Sequence, residues 1–108
     1  MSEYLFSYGT LCEAHIQQKL LGRTLPSQSD VLKNYACTWA TAYPMVYPEI
    51  GSDIDGQCLI IEPHELEQID HYEGSAYVRV MVQLASGRTA WLYEGNPVMV
   101  ERLLLVDF

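Results

Sequence analysis

Positive charge is scarce in this sequence. Six Lys and Arg stand against fourteen Asp and Glu, a formal net charge of -8 over 108 residues. Nucleic acid and anionic membranes are bound through clustered cations that displace counterions, so this balance argues for no nucleic acid and no membrane as partner. No apolar run approaches the ~18 residues of a membrane span. The opening Met1-Ser2-Glu3 lacks the charged and then apolar regions of a signal peptide. Cysteine is sparse and odd in number: Cys12, Cys37 and Cys58 are far apart and form no Cys-x-x-Cys pair. Buried thiols in a reduced, cytoplasmic setting fit that usage best. Repeats, low-complexity tracts and linkers are also absent, so residues 1–108 read as a single domain.

What is present is a packed-protein composition, 49% apolar, with twelve aromatics of which eight are Tyr. Such side chains give a core or pocket whose walls are apolar with polar tips. Glu3 to Tyr8 alternates Tyr4, Phe6 and Tyr8 against Leu5 and Ser7, a strand pattern that Gly9 ends. Thr10-x-x-Glu13 then has the form of a capping box, with Ile16 and Leu20 four apart and Gly22 as a stop, which predicts a helix near 11–21. Pro26 to Asp30 reads as a polar loop. Val31 to Tyr43 carries Tyr35, Cys37, Trp39, Thr41 and Tyr43 at period two, a long strand or a bent pair. Tyr43 to Pro48 contains two prolines and fits an ordered loop or an edge. Gly56 to Ile61 reads as a buried strand. Pro63 opens a second helix with Leu66 and Ile69 inward, and Gly74 closes it. Tyr77 to Leu84 and Thr89 to Tyr93 flank a turn as a hairpin, and the apolar tail from Val98 has an ambiguous period.

Two places can carry chemistry. Tyr8-Gly9-Thr10-Leu11 lies at a strand-to-helix junction, where backbone N–H groups can hold a carboxylate without a cation. By spacing alone it is an ordinary tight turn. Ile69 to Gly74 ends the second helix, and Glu73 there opposes the helix dipole by ~0.3–1 kcal/mol. Local rules broken in this way tend to mark functional sites. Eight of the fourteen acids fall between Glu49 and Glu73, with no Lys or Arg between Lys33 and Arg79, and most of them read as solvated surface.

Taken in order, Tyr8-Gly9-Thr10-Leu11, Tyr43-Pro44, Asp70-x-x-Glu73-Gly74-x-x-Tyr77-x-Arg79 and Ala90-Trp91-x-Tyr93 resemble the γ-glutamylcyclotransferase-like superfamily. Within it, the short γ-glutamylamine cyclotransferase and avirulence-induced-gene-like branch is the most similar. The resemblance implies an α+β fold: a small, mostly antiparallel β-barrel with a few short helices packed around it. It implies an enzyme of the acyltransferase or lyase type that cyclises a γ-glutamyl group to 5-oxoproline and frees an amine or peptide, with no cofactor. It maps the catalytic acid onto Glu73 and the substrate loop onto Tyr8, Gly9, Thr10 and Leu11, for a small anionic γ-glutamyl substrate. Tyr47 or Tyr77 could donate a phenolic hydrogen bond to that substrate or wall the pocket.

In such a reaction the substrate's own α-amine is the nucleophile, so one carboxylate can make both proton transfers. A carboxylate of pKa ~4.3 facing an amine of ~8 must climb roughly 5 kcal/mol. Glu73 is therefore expected to be partly buried, with a raised pKa, facing the Tyr8–Leu11 loop. Arg79 could pair with the substrate carboxylate or with Asp70, and a structural Asp70–Arg79 pair is the better-supported choice. Cys12 with His15 as nucleophile and base, and His64, Glu67 and His71 as metal ligands, are both weaker than burial and a plain surface helix. The tail could cap the barrel or form a subunit interface, which leaves monomer and homodimer open. The rival function is a non-catalytic small-molecule binding or interaction module of the same fold, which would need no base aimed at the loop.

Overall fold

Successive strand residues face opposite sides, so a strand with two adjacent buried apolar residues must be covered on both faces. The first strand, β1 (Glu3–Ser7), is such a strand, with Leu5 and Phe6 each 1% exposed. A computed structural model describes residues 2–38 and 44–106, without the side chains of 103–106. It places β1 in the middle of a five-stranded sheet. The other elements are a 3-10 turn (Thr10–Cys12), α1 (Ala14–Leu21), β2 (Ser27–Thr38), β3 (Met45–Ile61), α2 (Glu65–Glu73), β4 (Tyr77–Gln83), β5 (Thr89–Gly95) and α3 (Pro97–Val106). The strand order is β2-β3-β1-β5-β4, antiparallel except for β1 against β5, which run parallel.

Leu5 and Phe6 seed two cores on the two faces. Leu5 packs with Leu11, Leu59, Ile61, Ile69 and Tyr93, beneath Ile16, Leu20 and Leu21 of α1 and Leu66 of α2. Phe6 packs with Leu32, Val46, Cys58, Leu84, Ala90 and Leu92 inside the curl of the sheet. Each such side chain contributes roughly 1.5–3 kcal/mol by leaving water. Gly56 of β3 lets Phe6 approach, since a Cβ there would lie 2.5 Å from the Phe6 ring and from the Ser7 carbonyl oxygen.

The expected barrel is not formed. β2 and β4 are the edges of an open sheet. The curl does bring the β4–β5 turn back to β2: Ala85 N–H donates to the Val31 carbonyl, and Asp30 accepts from the Ser86 hydroxyl at 2.6 Å. These contacts tie one point, whereas closure needs a ladder between β2 and β4. Burial pushes the Asp30 carboxyl up, but hydrogen bonds from Ser86 and Val31 outweigh it and hold the pKa below the usual value.

Other expectations need adjusting. Residues 27–30 are not loop but the start of β2, paired with Leu59, Cys58, Gln57 and Gly56 of β3; the tertiary ladder overrides their polar character. Met45 to Pro48 is strand and keeps the edge alternative of that stretch, since β1 pairs with β3 only from Gln57 to Ile61. Its ladder partner is therefore β2 alone, which suits a residue without a donor. Between these halves the register slips at Asn34, which takes φ 63, and the Asn34 side chain accepts from Gly51 N–H. The capping box does not form. α1 begins at Ala14 with no side-chain cap, and the Thr10 hydroxyl turns to Tyr72 instead. The tail with the ambiguous period is α3, and residues 39–43 at the end of the predicted long strand lie outside the described ones. No helix among the described residues is long and apolar enough to cross a membrane.

One acid from the run read as solvated is buried. Glu65, 3% exposed, receives Arg23 through two hydrogen bonds of 2.7 and 3.0 Å and also accepts from Glu62 N–H. The Arg23 guanidinium holds its carboxyl below the usual range. This pair clasps the end of α1 to the start of α2. Arg23→Ala strands a buried carboxylate and is expected to cost about 3 kcal/mol at pH 7, read by urea denaturation. The deficit should shrink as pH falls and Glu65 protonates. An unchanged deficit at pH 4 would show that charge is not the cause.

Candidate active site

The two sequence motifs meet at one end of the sheet. β1 runs directly into Tyr8-Gly9-Thr10-Leu11, and the buried Leu11 side chain plugs into the Leu5-side core. The loop turns back through Cys12 N–H to the Gly9 carbonyl and Glu13 N–H to the Thr10 carbonyl. Gln17 of α1 then locks it: its buried amide donates to the Leu11 carbonyl and accepts from Leu25 N–H, both at 2.8 Å. Nothing in the sequence pattern marked Gln17, because a polar residue on a short helix reads as surface. Cys12 donates its thiol to the Ser7 carbonyl, and His15 is exposed. His64 and His71 are exposed too, and no metal-holding cluster of His, Cys, Asp or Glu occurs among the described residues.

Glu73 is the last residue of α2. Ile69, one turn earlier, is fully buried, and Gly74 at φ 75 takes the chain sharply toward β4. Asp70 anchors the same turn by accepting from the Tyr93 hydroxyl at 2.6 Å. Arg79 Nε lies 3.6 Å from Asp70, and its guanidinium sits over the Trp91 ring at 4.5 Å. Both partners of that ion pair are partly exposed, so it is worth under ~1 kcal/mol and works mainly by orientation. Arg79 does not line the cavity described next.

That cavity has a volume of about 470 Å³, within the usual range for small-molecule sites. The end of β1 and the Tyr8–Leu11 loop form one wall, Tyr72 and Glu73 another, and Tyr77, Tyr93, Pro44, Met45 and Met99 are among the remaining lining residues. Tyr8, Gly9, Thr10, Leu11, Glu73 and Tyr77 are thus brought together. Tyr47 is not. It follows Met45 on the same face of β3, and two residues of strand carry it ~6.6 Å along, out of the cavity. Tyr72, Tyr93 and Met45 are lining residues that had been given no role; Tyr72 directly precedes Glu73, but adjacency carries no periodic signal.

Glu73 is half-buried, and burial raises its pKa from 4.5 to about 7. The Tyr8 hydroxyl donates to the Tyr93 carbonyl at 2.7 Å, and burial, with Tyr77 and Glu73 nearby, keeps it protonated well above the ordinary phenol range. The Tyr77 hydroxyl donates to the Pro44 carbonyl at 2.8 Å. At the rim, Thr10 Oγ1 and the Tyr72 hydroxyl hydrogen-bond at 2.5 Å and bridge the loop to α2. The arrangement offers one proton acceptor with a pKa near neutrality, two phenols, Tyr8 and Tyr93, that burial keeps protonated, and a loop of backbone amides.

This sheet is that of a known family. Residues 5–106 match the family described as gamma-glutamyl cyclotransferase, AIG2-like, and the chain belongs to it. Solved structures share the fold at low identity. An Arabidopsis thaliana protein determined in solution is 22% identical with a TM-score of 0.80, over 99% of this chain and 75% of that one. A structure described as a gamma-glutamyl cyclotransferase is 14% identical with a TM-score of 0.75, over 89% and 68%. An uncharacterised Pyrococcus horikoshii protein is 21% identical with a TM-score of 0.69, over 86% and 77%. No curated protein matches the sequence.

The raised pKa of Glu73 has a stability consequence. Its proton is held more tightly in the folded chain, so the cost of ionising it is absent below pH ~4.5 and grows to its full size above pH ~7. Glu73→Gln removes that cost. The variant is expected to match the parent near pH 4 and to exceed it by roughly 1–3 kcal/mol at pH 8, measured by denaturant titration at both values. Equal stabilities at pH 8 would mean that Glu73 is not buried as charge.

Proposed function

We propose that the protein is a γ-glutamyl cyclotransferase, converting a γ-glutamyl amine or peptide to 5-oxoproline and a free amine, with Glu73 as the general acid and base. The observation that carries this reading is the half-buried Glu73, pKa about 7, in the same cavity as the Tyr8–Leu11 loop. Membership of the family supports it.

The substrate's α-amine attacks its own γ-carbonyl carbon, forming the lactam C–N bond. Glu73 takes the proton that the amine must lose. It then delivers that proton to the departing nitrogen as the original amide bond breaks. Against an amine of pKa ~8, a carboxyl of about 7 leaves roughly 1.4 kcal/mol of uphill transfer, in place of about 5 for an exposed Glu. The backbone N–H groups of Gly9 to Leu11 grip the substrate carboxylate or the developing oxyanion. Folding the γ-glutamyl chain back against Tyr8 and Tyr77 holds the two reacting atoms together, which alone removes several kcal/mol of barrier.

The test is release of 5-oxoproline from a panel of γ-glutamyl amides and dipeptides. Glu73→Gln should fold and lose 10²–10⁴-fold in kcat. In the parent, kcat/KM should fall on the acid side of pH ~7, where Glu73 is protonated. Turnover retained in Glu73→Gln would end the assignment. Binding of γ-glutamyl compounds without release of 5-oxoproline would mark a non-catalytic binding module.

A further inference from the structure

The proposed chemistry needs two groups at a fixed separation, the Gly9 to Leu11 amides and the Glu73 carboxyl. They stand on elements far apart in sequence, the loop after β1 and the last turn of α2. Each element is fastened on its own. The loop is held at its two ends, by the Tyr8 hydroxyl on the Tyr93 carbonyl and by the buried Leu11 with Gln17 on its carbonyl. Gly9 and Thr10, between those ends, are not buried. The end of α2 is held by Ile69 in the core and by Asp70 on the Tyr93 hydroxyl.

Among the described residues a single hydrogen bond joins residues 8–11 directly to α2, between Thr10 Oγ1 and the Tyr72 hydroxyl at 2.5 Å. Tyr72 directly precedes Glu73, and both bridging residues line the cavity. The bridge adds little stability, because both side chains are exposed and water would serve either hydroxyl nearly as well. Thr10 also gives up a local role for it. The Glu13 N–H, which a capping Thr10 hydroxyl would take, donates to the Thr10 carbonyl instead, and α1 starts with no side-chain cap. A local preference overridden for a contact across the cavity rim points to a functional tie.

We propose that Thr10 and Tyr72 are positioning residues, whose hydroxyl bridge holds the loop amides and Glu73 at the separation the reaction needs. The proposal rests on the cyclotransferase reading and adds two residues to it, neither of which handles a proton in the reaction. Tyr72 carries the bridge to within one residue of the base, and Thr10 carries it into the amides that grip the substrate. A shift of ~1 Å between such groups can cost ~100-fold in rate. With the bridge cut, each wall still makes its own contacts with a bound substrate. The loss therefore falls on kcat rather than on KM.

The experiment measures 5-oxoproline release from γ-glutamyl-n-butylamide, γ-glutamylanilide and γ-glutamylglycine, read on whichever the parent turns over fastest. Tyr72→Phe and Thr10→Val should each lower kcat about ten-fold, with KM within about two-fold of the parent. The double variant should lose no more than the worse single one, because the same bridge is cut in all three. Thr10→Ser, which keeps a hydroxyl, should recover most of what Thr10→Val loses. Tm should stay within about 2 °C of the parent throughout. A second readout needs no substrate. The Cys12 and Glu13 amide protons are bonded to the Gly9 and Thr10 carbonyls, and their exchange should quicken about three-fold or more in Tyr72→Phe. Undiminished kcat in Tyr72→Phe overturns the proposal and leaves the cyclotransferase reading standing. Losses that add in the double variant overturn it too, as does a fall in Tm that accompanies the fall in kcat. If the parent turns over none of the three compounds, the cyclotransferase reading fails and the positioning role fails with it.

Discussion

The structure depends on β1 being flanked on both edges and covered on both faces. Its ladder with β3 runs from Glu3 to Ser7, and β5 pairs along its other side. With Leu5 and Phe6 each committed to a different core, a one-residue slip would expose one core and bury the wrong residues in the other. That fixed register sets where the strand ends, and therefore where Tyr8-Gly9-Thr10-Leu11 begins. The loop needs little rigidity of its own. Leu11 pins it from below, and Gln17 holds its carbonyl from the side.

The second motif is held by different means and at a cost. Glu73 sits at a helix C-terminus, half-buried, where both the helix dipole and desolvation oppose its charge. Ile69 and the Asp70–Tyr93 hydrogen bond secure the last turn of α2 against the sheet and so hold Glu73 at the cavity. The clasp between Arg23 and Glu65 does the same at the first turn. A short helix fixed at both ends can hold one unfavourable residue, and its stability is spent on a group that would be more comfortable protonated.

Local patterns in the sequence reveal what local physics decides. The alternation around Leu5 and Phe6, the Gly9 and Gly74 breaks, the spacing of Leu66 and Ile69, and the β4–β5 hairpin are all short-range signals. The pairing of the Tyr8–Leu11 loop with Glu73 is long-range and was reached through family resemblance; the strand pattern alone says only that a turn follows a strand. What was misread depends on distant partners. Residues 27–30 are polar and look like loop until β3 offers them a ladder. Thr10 fits a capping box until the Tyr72 hydroxyl competes for its oxygen. Glu65 reads as surface because its cation, Arg23, is far away in sequence. The open sheet was beyond reach for the same reason, since closure is a relation between two edges and no segment encodes it alone.

The shortage of cations links composition to the site, though not through net charge. At physiological ionic strength fields from exposed charges fade over ~8 Å, so a formal charge of -8 spread over the surface does little to a ligand inside a cavity. What acts there is the lining. Four of the six cations are tied to Glu65, Asp53, Asp70, Tyr4 and Trp91, where they hold elements together or cover rings. A cation beside Glu73 would draw its pKa back toward the ordinary carboxylate range and weaken it as a base. The shortage of positive charge is thus felt in the cavity lining, where it leaves one carboxyl near neutrality.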